Sequence, residues 1–413
     1  MEGPCSSSSG YCYYATGVGG ACAGLGFEPP SGYWCAAHPP RGTTYSTKFP
    51  SGLEYDANAF DGKSWPSFKP NQTVINAFRS GHWFSYVWLV DQYDPTKREL
   101  SWTVGGFQGG EGAGSAGEWN VENVFEELDS PNEWFYDEDK KDLYFFHNGT
   151  GSPAGVFAGT SLRQLVTVTG GGSAHGETAP HALDITIRGV RFADAALSTL
   201  APHGLPSDGG GDWAIARSAA LHVSGVEGFT VEGCLFERLD GNAVMISGYA
   251  RNTTVRDNEF HLVGENGIVS WGYTADFADA QRAVPIPETQ GPDMRDGNHP
   301  QGNLIADNLI HEIGHFQKQV SCYFQAQTQG STLSRNICFN GPRAGINFND
   351  GGGGADLLEA NLVFNMVRET QDHGACDSHA VAQAPAPDFH SYPLALPLAR
   401  LHAGSVPATS SFD

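Results

Sequence analysis

Basic residues are scarce in this chain: 23 Lys and Arg stand against 46 Asp and Glu in 413 residues, a formal charge of −23. Such a surface repels phosphate backbones and anionic bilayers, so nucleic acid is not an expected partner. It also disfavours a strongly anionic polysaccharide unless a cation or a local basic cluster intervenes. No apolar run approaches the roughly 20 residues of a membrane-spanning helix. The opening MEGPC is followed by no apolar stretch, so no signal peptide is visible. No phosphate-cradling glycine loop precedes a helix and no GxSxG elbow is present, which leaves nucleotide cofactors and serine catalysis without support. No cofactor is expected.

Glycine is abundant instead. The 53 glycines, with many Asn and Asp, punctuate short runs rich in Val, Ile, Phe and Thr, an all-β composition of short strands and tight turns. Within it, TVEGCLF, TVRDNEF, LIADNLI, LSRNICF and LEANLVF lay one pattern over itself. Val231 and Val255, Phe236 and Phe260, and Val244 and Ile268 are each 24 residues apart. Repetition of this kind marks a solenoid whose turns stack on one another. Asn258, Asn308, Asn336 and Asn361 hold one place in successive repeats, with Cys234 in that slot a turn earlier. An Asn recurring at one bend predicts a ladder of amides.

The chain divides into a Gly/Ser/Cys-rich head (1–35), an N-terminal β-rich region (36–165), the solenoid (166–376) and an Ala/Pro-rich tail (377–413). EWFYDEDKKDLYFF reads as a hairpin in the second of these. Long loops at 196–217 and 274–301 project from the solenoid and shape a cleft. The tail either covers the open edge of the last coil or marks a chain cut short. Cys5, Cys12, Cys22 and Cys35 suit disulfides in the head, whereas Cys234, Cys322 and Cys338 read as small buried hydrophobes. Together with acceptor triplets at Asn71, Asn148 and Asn252, the clustered cysteines favour a secreted or extracellular protein. A monomer is expected.

Each coil carries a further strand, in AVMIS, GIVSW, CYFQ and GINFN. Alternation directs Val244/Ile246, Ile268/Ser270, Cys322/Phe324 and Ile346/Phe348 into the core. Met245/Ser247, Val269/Trp271, Tyr323/Gln325 and Asn347/Asn349 then face solvent. Trp271 and Tyr323 beside the amides of Gln325, Asn347 and Asn349 make a surface for sugar rings: stacking for the apolar face, hydrogen bonds for hydroxyls. Against this stands a plain solvated face with an incidental Trp.

Ionisable groups flank those strands: Asp240, Glu265, Lys318 and Arg343 before them, Asp350, Arg368, Glu369, Asp372 and His373 after. Glycoside hydrolysis needs two carboxyls, a proton donor and a nucleophile or base, held roughly 5 to 9.5 Å apart. Asp350 and Asp372 are the leading pair and Glu265 is in reserve. Lys318 and Arg343 would keep one carboxylate ionised; with Arg368 they would bind hydroxyls or charge. His373 is a proton shuttle or a hydrogen-bonded turn residue. The same ionisable residues would equally serve as an ion-pair network supporting turns. His311, Glu312 and His315 in HEIGH have zinc-protease spacing but follow a strand in a Gly-bearing turn, so no metal is assigned.

VENVFEELDSPNEWFYDEDKKDLYFF, GCLFERLDGNAVMISGY, CYFQAQ, NGPRAGINFNDG and RETQDHG, with GYWCAAHPPRGTTY and GGFQGGEG upstream, resemble the right-handed parallel β-helix (pectin-lyase-like) proteins of the glycosidase-like group. The resemblance covers about residues 30 to 375 and departs at ACDSHAVAQ. It implies carbohydrate modification on an outer sheet face. A glycoside hydrolase acting on poly- or oligosaccharide is the leading reading and a polysaccharide lyase the second. A non-catalytic glycan-binding or inactive truncated β-helix protein is the reading from another class.

Overall fold

The structure is a computed structural model; it describes residues 11–13, 50–56, 59–79, 82, 85–105, 116–155, 157–171, 180–201, 215–272, 297–349, 354–371 and 373–378. Among the described residues there is no α-helix. The N-terminal part is a six-stranded antiparallel sheet, ordered Tyr11–Tyr13, Pro50–Glu54, Glu99–Gly105, Ser85–Asp94, Thr73–Arg79, Ala116–Glu122. Its core packs Ile75, Ala77, Trp88, Val90, Leu100 and Trp102. Trp88 stacks on Trp102 with centroids 5.0 Å apart. Trp134–Asp137 and Asp142–Phe145 form the expected hairpin.

The rest is a parallel β-helix of three sheets. The first has nine strands, and the second and third have six each. One coil illustrates the path: Val244–Arg251 in the first sheet, Thr254–Arg256 in the second and Glu259–Val263 in the third. The 24-residue spacings are the in-register pairs Val231↔Val255, Phe236↔Phe260 and Val244↔Ile268. Like side chains therefore stack along the bore, as in Phe192, Phe236 and Phe260, whose rings lie 4.5 and 4.6 Å apart.

The corner between the second and third sheets is turned by one left-handed residue. Gly233, Asp257, Asp307, Arg335 and Ala360 hold φ of 60, 57, 57, 55 and 56° there. The following residue turns its amide inward. Asn258 Nδ2 donates to Asn308 Oδ1 at 3.0 Å, Asn308 to Asn336 and Asn336 to Asn361, each at 2.9 Å. Cys234 N, one coil earlier, donates to Asn258 Oδ1. A second, shorter series at the opposite corner runs from Asn266 Nδ2 to Asn242 Oδ1 and from Ser321 N to Asn266 Oδ1.

Two expectations are corrected. Tyr323 pairs with Ile268 and Ile346, and Gln325 with Ser270 and Phe348, so both point into the bore while Phe324 points out. A one-residue slip reverses every side chain of a strand. CYFQ alternates equally well in either phase, so its pattern does not fix its face. The bore absorbs the polar atoms: Tyr323 Oη donates to Gln325 Oε1, and Gln325 Nε2 to Asp356 Oδ2 at 3.0 Å. Cys322 and Cys338, read as plain hydrophobes, are joined by a disulfide with Cα atoms 6.2 Å apart. They join the residue before the first-sheet strand Tyr323–Ala326 to the third-sheet strand Ile337–Phe339. The N-terminal cysteines lie outside the residues whose side chains are described.

Candidate functional site

The third-to-first corner repeats one slot. Val244, Ile268, Tyr323, Ile346 and Cys376 are in register, so Gly241, Glu265, Val320, Arg343 and His373, three residues before each, stack along one rim. This rim is where most of the ionisable candidates converge.

Glu265 is 2% exposed. Ser198 Oγ and Thr199 Oγ1 each donate to its Oε1 at 2.9 Å. Burial pushes its pKa up to about 7, against the partial pull of the two hydroxyls. Since Oε1 accepts both donors, a proton held near neutral pH sits on Oε2. Leu239↔Val263 pairing sets Asp240 opposite Gly264, next to Glu265 on the adjoining coil. Burial also raises Asp240, Thr160 Oγ1 donates to its Oδ2 at 3.4 Å, and the charge of Asp194 adds to the rise. Two carboxyls in unlike surroundings thus occupy neighbouring coils.

Farther along the rim the cations are already engaged. Lys318 Nζ is 2.9 Å from Glu369 Oε2 and donates to the Gly314 carbonyl at 3.0 Å. Arg343 is fully buried, and its Nη2 donates to His373 Nε2. An arginine has no acceptor, so His373 Nε2 accepts in this contact, and its Nδ1 lies 2.6 Å from the Gln371 carbonyl. Arg368 is half exposed and 4.0 Å from Glu312. The N-terminal sheet docks on this side: Ser85 Oγ donates to Gln317 Oε1 at 3.1 Å and Gln371 N to the His82 carbonyl at 2.8 Å.

The outer face of the first sheet has two columns. One runs His222, Met245, Val269, Phe324, Asn347, Asp377; the other Ser224, Ser247, Trp271, Ala326, with Asn349 following. The early coils are apolar and covered, with Ile215 and Ala219 packing on Met245, Val269, Trp271 and Phe324. Trp271 is 6% exposed, and the Arg217 guanidinium lies 3.5 Å above its ring. Arg217 also donates to Ser247 Oγ and to the Trp271 carbonyl. Trp271 thus faces outward as expected but is not an open platform. Burial, then the Arg217 charge, lowers His222 to about 4, so it is neutral near pH 7.

The later coils are polar. Asn347 Nδ2 reaches Asp377 Oδ2 at 3.5 Å, and His373 Nε2 is 3.9 Å from the same oxygen. Asn347 Oδ1 and both amide atoms of Asn349 are buried and make no hydrogen bond among the described residues. Buried polar atoms left so are uncommon and often mark a place for a ligand or ordered water. Asp350 and Asp372 lie outside the described residues.

Two participants escape a sequence reading. Arg217 precedes the strand whose neighbour it covers, and nothing local marks it. Asp377 belongs to a segment without the repeat's Asn. Asp240 is legible as a corner carboxyl, but its raised pKa comes from burial and from the charge of Asp194, which no local pattern marks.

No protein-family model matches the sequence, and no curated protein is similar to it. A solved structure described as "Glycoside hydrolase" superposes with a TM-score of 0.44 at 13% identity, covering 77% of this chain and 72% of that chain.

Proposed function

We propose that the protein acts on carbohydrate as a glycoside hydrolase, along the rim and outer face of the first sheet. The observation that supports this most is Glu265, a carboxyl with a pKa of about 7 in a buried corner, one coil from a second carboxyl, Asp240, whose pKa burial also raises. A general acid must carry its proton at working pH and release it in the transition state, which a carboxyl of ordinary pKa does poorly. Glu265 would protonate the glycosidic oxygen from Oε2. Asp240 would serve as base or nucleophile; Asp350 and Asp372 retain the role that the sequence suggests for them. Asn347 and Asn349 would take sugar hydroxyls.

A lyase needs a cation on the uronate carboxylate, and the rim's Lys318 and Arg343 are committed to Glu369 and His373. That commitment places the lyase second. The test is incubation with neutral and uronate-containing glycans, following reducing ends and the absorbance of unsaturated uronate together. Reducing ends alone support the hydrolase; both signals support the lyase; neither, from a folded sample, supports the glycan-binding reading.

A further inference from the structure

The third sheet carries a side-chain cluster on its outer face that the proposed chemistry does not use. Glu259 and His261 are two residues apart on one strand and so share that face, and His311 pairs with the His261 position on the next coil. The imidazoles stack with centroids 5.5 Å apart and planes at 9°. Glu259 Oε1 lies 3.5 Å from His311 Nε2 and 3.9 Å from His261 Nδ1. One donor atom from each of the three residues falls within 4.8 Å of the other two.

The surroundings fix which nitrogen is available. Glu237 Oε2 is 3.5 Å from His261 Nε2, and ion pairs with Arg191 and Arg238 hold Glu237 in place. That carboxylate occupies the Nε2 side of the ring, and Nδ1 lies on the side of Glu259. Nδ1 is buried and makes no hydrogen bond among the described residues. A carboxylate behind a histidine whose other nitrogen is free to ligate is the usual second layer of a metal site.

We propose that Glu259, His261 and His311 bind one divalent transition-metal ion, with zinc the test case. Two imidazoles and one carboxylate suit zinc, copper or nickel and not calcium or magnesium, which take oxygen donors. Metal–ligand bonds of about 2.0–2.1 Å require donor spacings of about 3.3 Å, so donor atoms now within 4.8 Å of one another must draw together and the His rings must turn from their stack. Glu259 is half exposed, which leaves the outer coordination positions to water. The alternative is a purely structural stack, since Phe339 lies on the other side of His311 at 4.9 Å and Phe364 continues the column.

The test separates these with His311→Phe, which preserves the stack and removes a ligand. Untagged, chelator-treated full-length protein is titrated calorimetrically with ZnCl₂ at pH 7.5, and with CaCl₂ for comparison. The site predicts one fewer bound zinc in His311→Phe, zinc affinity at least tenfold weaker in Glu259→Gln, and no saturable calcium heat that these variants alter. Identical zinc isotherms for the unaltered protein and His311→Phe would overturn it, as would no zinc binding at all. If His311→Phe does not fold, one equivalent of Cu²⁺ on the unaltered protein decides by electron paramagnetic resonance. Coupling to two imidazole nitrogens sustains the site, and a spectrum without it refutes the site.

Discussion

Ser198 Oγ donates to Glu265 Oε1 at 2.9 Å, across a corner that water barely reaches. The donated hydroxyl favours the charged form, but burial outweighs it and favours the neutral one. Glu265 is raised in the folded protein above its value of 4.5. Its contribution to stability is therefore complete below about pH 4.5 and declines as pH rises toward 7, by about 3 kcal/mol in all. Glu265→Gln, which keeps the shape and carries no charge, should melt higher than the unaltered protein at pH 8. The two should converge near pH 4. Melting curves across that range are the check, and a constant difference would remove the raised pKa.

The Cys322–Cys338 bridge closes a loop with a sequence separation of 16. Loop-closure arguments give such a bridge about 3 kcal/mol. The double variant Cys322→Ala, Cys338→Ala should unfold at correspondingly lower denaturant. Non-reducing peptide mapping should recover the two cysteines in one linked species.

Asn308 accepts from Asn258 Nδ2 and donates to Asn336 and to the Val255 carbonyl. Asn308→Ala strands several buried polar atoms at once, so a loss of about 3 kcal/mol is expected. Asn361 stands at the end of the column, more exposed and with fewer partners, and Asn361→Ala should cost about 1 kcal/mol. Equal losses at the two positions, measured by urea unfolding, would argue against a ladder that acts cooperatively.

Arg217 holds the covering segment over Trp271 by a ring contact and by hydrogen bonds to Ser247 Oγ and two carbonyls. Arg217→Ala should cost about 1–3 kcal/mol through the unpaired carbonyls and lost packing. It should also make Trp271 accessible to acrylamide. The Trp271→Phe background isolates that signal from the other tryptophans.

The coil repeat was legible because identical slots recur every 24 residues from Val231 to Ile268. The reading slipped at CYFQ, where a long insertion breaks the spacing and aromatic and polar residues alternate without a hydrophobic phase. Burial of Trp271 was not legible, since Arg217 reaches it from another coil. HEIGH offered zinc-protease spacing in a turn and no metal was assigned to it; its His311 instead meets His261, 50 positions earlier, through strand register, which no local motif shows. The disulfide needed the third dimension for the same reason. Glu265 was visible as a corner carboxyl, but its raised pKa depends on Ser198, Thr199 and complete burial.

The most direct test of the central claim is the pH profile of kcat/KM on a cleaved glycan, for the unaltered protein and for Glu265→Gln. The account predicts a single-proton fall in rate near pH 7 on the alkaline side, and loss of turnover in a Glu265→Gln protein that remains folded. Full activity of Glu265→Gln, or a flat profile through pH 9, would contradict it.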